Sequence, residues 1–217
     1  MRLVYPAHCG VCRGLLEIEE KYLCLGCAHE LSSVKLDVTD QPLPNPGPYL
    51  RQGWSLYTYK SPVGDILSAV KFSRKWWLLD LFDASLEEFL RDEFIDRHYD
   101  FLMPIPLDSA KRTLRQFNQS EILAKKIARA TGMKLKTTLL TKRHATPAQS
   151  LLGKKEREAN LFGAFYVRGG AKITGKKILL VDDVYTTGAT SREAARTLKA
   201  AGARHVDLLS LARTEER

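Results

Sequence analysis

The residues best suited to chemistry are two adjacent carboxylates followed by a hydroxyl-rich turn: Ile178-Leu179-Leu180-Val181-Asp182-Asp183-Val184-Tyr185-Thr186-Thr187-Gly188-Ala189-Thr190. An apolar run too short for a helix ends in the acids, and a strongly helical segment opens at Ser191, so the order is buried strand, loop, helix N-terminus. Such a turn aims backbone N–H groups outward at the positive end of a helix dipole. Thr186, Thr187 and Thr190 add hydroxyl donors, and together these suit a phosphate monoester. Ionised carboxylates only accept hydrogen bonds, and beside a phosphate they need hydroxyls or a divalent cation in front of them. The ligand so described is a sugar phosphate, its phosphate in the loop and its ring hydroxyls on Asp182 and Asp183. The structural alternative is an ordinary parallel strand closed by an Asx turn and an N-cap.

A second cluster lies at the other end of the chain. All four cysteines fall in Cys9-Gly10-Val11-Cys12 and Cys24-Leu25-Gly26-Cys27, with eleven residues between the pairs. Each Cys-x-x-Cys with a small residue inside it presents two thiolates to one tetrahedral ion, and two such knuckles complete a four-thiolate shell for structural Zn2+. Two disulfides or a redox pair are the alternatives, but no thioredoxin-like strand and helix surround the cysteines. Four thiolates fill such a site, so His8 and His29 are expected outside it. The segment has too few apolar residues to fold unaided, which makes metal binding and folding one event.

The elements that must position these groups follow from composition and periodicity. A length of 217 residues with 44% hydrophobic content suits one α/β domain plus a small appendage. No apolar leader follows Met1-Arg2 and no run approaches a membrane span, so a cytoplasmic protein without membrane insertion is expected. A net charge of +9 favours anionic partners, nucleotide phosphates and single-stranded DNA among them. Pro42, Pro44, Pro46 and Pro48 mark a stiff linker rather than a packed element, which divides the chain into residues 1–36, 37–48 and 49–217. Trp54 to Tyr59 alternates like a half-buried strand, and Val63 to Phe72 with Leu78 to Leu90 carries helical spacing. Phe101 to Leu107 reads as a strand running into a loop set by Pro104 and Pro106, followed by a helix from about Ser120 to Ala130. Leu139-Leu140 is a short strand, and the polar stretch from Thr141 reads as a loop over the site. Helix 191–201 and strand 206–212 complete a right-handed crossover that puts the acidic turn at the carboxyl edge of a parallel sheet. Gly170 to Lys177 comes close to a phosphate-cradling Walker motif but lacks its final hydroxyl and precedes a strand instead of following one, so it is a turn.

The run from Val181 to Thr190 resembles the phosphoribosyl pyrophosphate (PRPP) loop of type I phosphoribosyltransferases. The whole chain resembles the ComF/ComFC family. That likeness rests on this loop, the cysteine module, Lys71-Phe72, and Pro104-Ile105-Pro106-Leu107 with Arg115-Gln116-Phe117-Asn118-Gln119. It also rests on Thr146 with Gln149 and on Arg157 with Asn160. Gln116 stands where the family carries glycine. The resemblance implies an α/β fold, a type I phosphoribosyltransferase-like parallel sheet flanked by helices, with a small N-terminal zinc-binding module. It implies that residues 182–190 bind PRPP, with Asp182 and Asp183 as catalytic candidates on the ribose 2′- and 3′-hydroxyls and Mg2+ arriving with PRPP. It implies a pyrophosphate side drawn from Lys71, Pro106, Leu107, Arg112, Arg115, Arg143 and Arg157. A solvated basic helix end is the other reading of Lys71. The biological setting implied is natural transformation, with incoming single-stranded DNA and a DNA-uptake translocase as partners on the cytoplasmic side. Alternatives are a non-catalytic PRPP sensor, a single-stranded-DNA module using Trp76-Trp77 beside Arg74-Lys75, and a nucleobase salvage enzyme.

Overall fold

The computed structural model describes residues 8–94, 97–143 and 161–215. Its centre is a parallel sheet of four strands, β1 (Gly53–Thr58), β2 (Phe101–Pro104), β5 (Lys177–Tyr185) and β6 (His205–Arg213), in the order β1-β6-β5-β2. A single parallel bridge from Leu102 to Leu135 extends it beyond β2. Two short strands, β3 (Leu140–Lys142) and β4 (Phe165–Val167), form a separate antiparallel hairpin.

The inner strands are apolar on both faces because helices cover both. Leu179 and Val181 of β5 pack with α2 (Val63–Ser73), α3 (Asp83–Phe94) and α5 (Gln119–Thr131) through Ile66, Leu67, Phe89 and Leu123. Ile178 and Leu180 face the other way, toward α6 (Ala189–Ala200) and the hairpin, through Ala194, Ala195, Leu198 and Phe165. This is the two-sided burial that crossover connections impose on parallel sheets, and it explains why β1, expected to be half-buried, is buried along almost its whole length. Trp54 of β1 meets Phe94 edge-on, with centroids 5.5 Å apart.

The helix starts are readable locally. Asp108 caps α4 (Ser109–Arg115) by accepting from the Lys111 N–H at 2.9 Å, and Asn118 caps α5 by accepting from the Ser120 N–H at 3.1 Å. Two helices end on left-handed residues other than glycine, α2 at Arg74 (φ 55°) and α4 at Gln116 (φ 65°). The expected helix from Leu78 to Leu90 is instead a 3-10 segment, Trp76–Phe82, that hands over to α3 at Asp83. Three closely spaced large residues, Leu78, Leu79 and Phe82, all turn inward there, which the tighter winding permits.

The cysteine segment is joined to this core. Cys9, Cys27 and Leu31, the last two on α1 (Leu25–Ser33), belong to the same buried cluster as Trp54 and Phe82. A Cβ on Gly10 would come 2.9 Å from Leu78 Cδ2, so the first knuckle lies directly on the 3-10 segment. The proline-rich stretch expected as an unpacked linker is partly packed. Gln41 and Leu43 are buried, and the Ser55 N–H to Gln41 and Leu43 N–H to Gly53 bonds lay residues 41–43 antiparallel along β1. An edge accepts a proline because only one side of the ladder needs its N–H.

Candidate functional site

Asp182 and Asp183 lie near the carboxyl end of β5, neither of them in the apolar interior. Asp182 Oδ1 accepts from the Ser120 hydroxyl at 3.0 Å and from the Asp183 N–H at 2.9 Å. Asp183 Oδ1 accepts from the Val184 N–H at 2.9 Å, while its Oδ2 pairs with Lys71 Nζ at 2.7 Å. Burial and the neighbouring Asp183 charge push the Asp182 carboxyl up to about 7, against the Asp183 N–H, the Ser120 hydroxyl and Lys71, which favour its ionised form.

The turn beyond them is shaped by Gly188. Its φ of 73° is left-handed, and a Cβ there would collide with the Tyr185 hydroxyl and approach Arg192 Nη1 to 2.6 Å. Among the described residues no side chain caps α6 apart from the long contact of the Ala189 N–H to Thr187 Oγ1 at 3.4 Å, so its first N–H groups suit a ligand. Arg192 Nη1 donates to the Thr187 carbonyl at 2.7 Å and fixes the turn from behind. Tyr185 sends its hydroxyl toward the Asn45 carbonyl at 3.4 Å. Thr186 is exposed, Thr187 and Thr190 are half-buried, and Val184 and Ala189 support the turn from the sheet and helix.

The same sheet edge receives the loop after β2. Pro106 and Leu107 are half-buried there, and the Asn118 amide donates to the Ile105 carbonyl at 2.9 Å, tying this loop to the start of α5. Because Ser120 of that helix also reaches Asp182, residues 105–108, 118–120 and 182–190 form one connected site. Burial opposes ionisation of Asp108, but the Lys111 N–H and the charges of Lys111 and Lys142 hold its carboxyl below the ordinary range.

The candidate basic residues divide between the site and its surroundings. Lys71 is in it. Arg112 is exposed on α4, Arg115 lies over the Phe72 ring at 5.6 Å, and Arg143 lies over Tyr166 at 5.4 Å. Arg157 lies outside the described residues, with Thr146, Gln149 and Asn160. Lys142, the last residue of β3, lies over Phe165, whereas Arg143 just past the strand lies over Tyr166, a separation that reading the segment as a loop hides. Burial and the Lys111 charge depress the Lys142 ammonium, while Asp108 and Asp182 act in the opposite sense, so Lys142 is within electrostatic reach of both halves of the site. Lys142 and Ser120 are the site residues that sequence reasoning did not name, whereas Asp108 lies in the loop around Pro106 and Leu107 to which the resemblance pointed, with a capping pattern before Ser109 as its local signal.

At the other end of the chain the four cysteine Sγ atoms lie within 4.8 Å of one another, with Cys12 and Cys24 Sγ 3.7 Å apart. Tetrahedral zinc with Zn–S bonds of about 2.3 Å needs sulfurs about 3.8 Å apart, so this thiol set could hold a metal ion such as zinc. Burial resists ionisation of Cys9, but N–H groups of Cys24, Val11 and Cys12 outweigh it and bring the thiol down to about 6. Burial and the neighbouring thiols push Cys27 upward. His8 and His29 are exposed and outside the cluster.

Comparison with known proteins agrees with this geometry. The phosphoribosyl transferase domain family matches residues 118–217, which include the α5 start, the hairpin and the whole acidic turn. The DNA utilization protein YhgH of Escherichia coli K12 is 27% identical over 232 residues, covering 98% of this chain and 99% of that one. The competence protein ComFC of Bacillus subtilis strain 168 is 33% identical over 149 residues, covering 69% of this chain and 58% of that one. The ComFC of Streptococcus pneumoniae R6 is 35% identical over 159 residues, covering 73% of this chain and 67% of that one. With a phosphoribosyltransferase sheet, a clustered cysteine module and this degree of identity to ComFC, the chain belongs to the ComF/ComFC family.

Proposed function

We propose that the protein binds magnesium-complexed PRPP at the carboxyl edge of its sheet and serves in DNA uptake on the cytoplasmic side. The observation that carries this reading is the convergence at one edge of a paired carboxylate, an uncapped helix N-terminus and a second loop flanked by Lys111 and Lys142. The α6 N-terminus with Thr186, Thr187 and Thr190 holds the 5′-phosphate, and Asp182 and Asp183 accept from the ribose hydroxyls. Asp183 exchanges the Lys71 ammonium for a ribose hydroxyl, which frees Lys71 for the pyrophosphate.

Where transfer occurs, the bond from ribose C1 to the pyrophosphate oxygen breaks and its electron pair leaves with the pyrophosphate. The acceptor then supplies the new pair to C1. Asp182 and Asp183 stabilise the positive charge that the ribose gathers, and Lys71, Lys111 and Lys142 stabilise the departing phosphates. Calorimetry with PRPP and magnesium tests the reading. Asp183→Ala is expected to weaken binding about 10- to 100-fold, the range for hydrogen bonds to a charged group. Wild-type protein that ignores PRPP, or an Asp183→Ala variant that binds it equally well, overturns the proposal.

A second reading is carried by the surface beside Lys71. Phe72, Trp76 and Leu114 are 76%, 52% and 71% exposed, and Arg74 and Arg115 lie among them. Large rings interleaved with cations suit stacked bases and phosphates of single-stranded DNA. Oligonucleotide binding that weakens with salt, and weakens further in an Arg74→Ala/Trp76→Ala variant, is the expected outcome.

A further inference from the structure

The four parallel strands share an amino edge as well as the carboxyl edge that carries the acids, and the residues entering it are strongly basic. Arg51 precedes β1, Arg97 and His98 precede β2, Lys177 opens β5, and Arg204 and His205 lead into β6. These six line one cavity of about 280 Å³. Lys177 is five residues before Asp182 on β5, which at about 3.3 Å per residue separates this cavity from the acid pair by roughly 17 Å.

Among the described residues, three acids beside this cavity are already engaged. Asp207 is fully buried and accepts from Arg51, from the Tyr99 hydroxyl at 2.7 Å and from the Gln52 N–H at 3.1 Å. Glu93 faces Arg97, and Asp100 takes Lys176 Nζ at 2.9 Å and the Lys177 N–H at 2.9 Å. The Lys177 ammonium, the Arg204 guanidinium and the two imidazoles have no hydrogen-bond or ion-pair partner among the described residues. Burial and then the Arg51 and Arg204 charges depress His205, with Asp207 opposing them and Lys199 adding to them, which marks a positive field at that point. A larger cavity of about 700 Å³ adjoins this one, sharing Arg97, His98 and Tyr99 and lined further by the apolar Leu90, Phe94, Ala130 and Met133 and by the charged Glu87 and Arg91. Tyr99 stacks on Phe94 with ring centroids 5.6 Å apart, so the shared wall is aromatic.

A concentration of cations opening onto a hollow with an aromatic wall, apolar patches and a polar rim suits a ligand with an anionic end and a flat ring that carries hydrogen-bonding edges. We propose that this edge is a second ligand site that takes a nucleoside monophosphate, its phosphate among Lys177, Arg204 and the two histidines and its base against Tyr99, Leu90 and Met133. The site is independent of PRPP and leaves the acidic turn free.

Calorimetry on the full metal-loaded chain tests this with adenosine monophosphate and inorganic phosphate as probes, each with and without saturating PRPP. The expected result is one monophosphate bound per chain whether or not PRPP is present, with inorganic phosphate binding more weakly. Lys177→Glu/Arg204→Glu is expected to weaken both probes at least tenfold, and the milder Lys177→Gln/Arg204→Gln to weaken them several-fold should the reversal impair folding. Ala130→Phe, which fills the hollow from α5, is expected to remove the advantage of the monophosphate over phosphate. Three results overturn the proposal: no binding by wild-type protein, binding unchanged in both Lys177/Arg204 variants, or displacement of the monophosphate by PRPP. PRPP affinity, measured in the same variants, is expected to stay as in wild type, so failure here is separable from failure at the acidic turn.

Discussion

Asp182 is the residue whose surroundings differ most from those of an ordinary aspartate, and its protonation ties the site to stability. Its carboxyl titrates near 7 in the folded chain and near 3.9 when unfolded, so between those values the folded chain holds the proton more tightly. The stabilisation is therefore present at low pH and lost as pH rises through about 7. In ligand-free protein, Asp182→Asn is expected to raise the melting temperature at pH 8 by several degrees and to lose that advantage toward pH 4, as scanning fluorimetry at fixed salt would record. A melting profile with the same pH slope in both proteins counts against the raised titration. Lys142 makes a second prediction at this scale. Lys142→Met is expected to weaken PRPP about tenfold by calorimetry while Arg143→Met, past the end of the strand and over Tyr166, changes it far less. The contrast between the two is hidden when 141–143 is read as loop, because it is the pairing of Lys142 with Phe165 in the hairpin that sets it apart from Arg143, which lies just past the strand over Tyr166.

At the scale of elements, the site depends on how β2, α5 and β5 are joined. Asn118 is 8% exposed and makes both joining bonds, capping α5 and holding the Ile105 carbonyl. Asn118→Ala should cost about 1–3 kcal/mol, the range for a lost cap and a buried acceptor left unpaired, measured by urea unfolding. A loss below a few tenths would show that the loop after β2 is held by other contacts. Strand β5, helix α6 and strand β6 were legible because their apolar periods are strong and bounded by glycines. Helix α3 was placed too early because Leu78, Leu79 and Phe82 mimic helical spacing while winding as 3-10. The acidic turn was legible for a related reason: hydroxyls, glycine and paired acids are local signals. Ser120 and Lys142 reach the site only through the folding of distant segments, and no spacing along the chain announces that, whereas the cap before Ser109 is a local sign of Asp108.

At the scale of the molecule, the cysteine module is coupled to the sheet through Cys9, Cys27 and Leu31, which share a core with Trp54 and Phe82. Treating the protein with a chelator, to strip an ion that the four thiols could hold, or replacing Cys12 by Ser, is expected to lower the melting temperature of the whole chain in a single transition. Two separate transitions, with the sheet melting where it did before, would contradict that coupling. The residues around Pro42 extend the same integration to the far side of the sheet. Proline brings no N–H to its outer side, so the strip along β1 offers an interrupted ladder to any passing extended chain. What composition presents as a tether thus also guards an exposed border against templated stacking of one copy on the next.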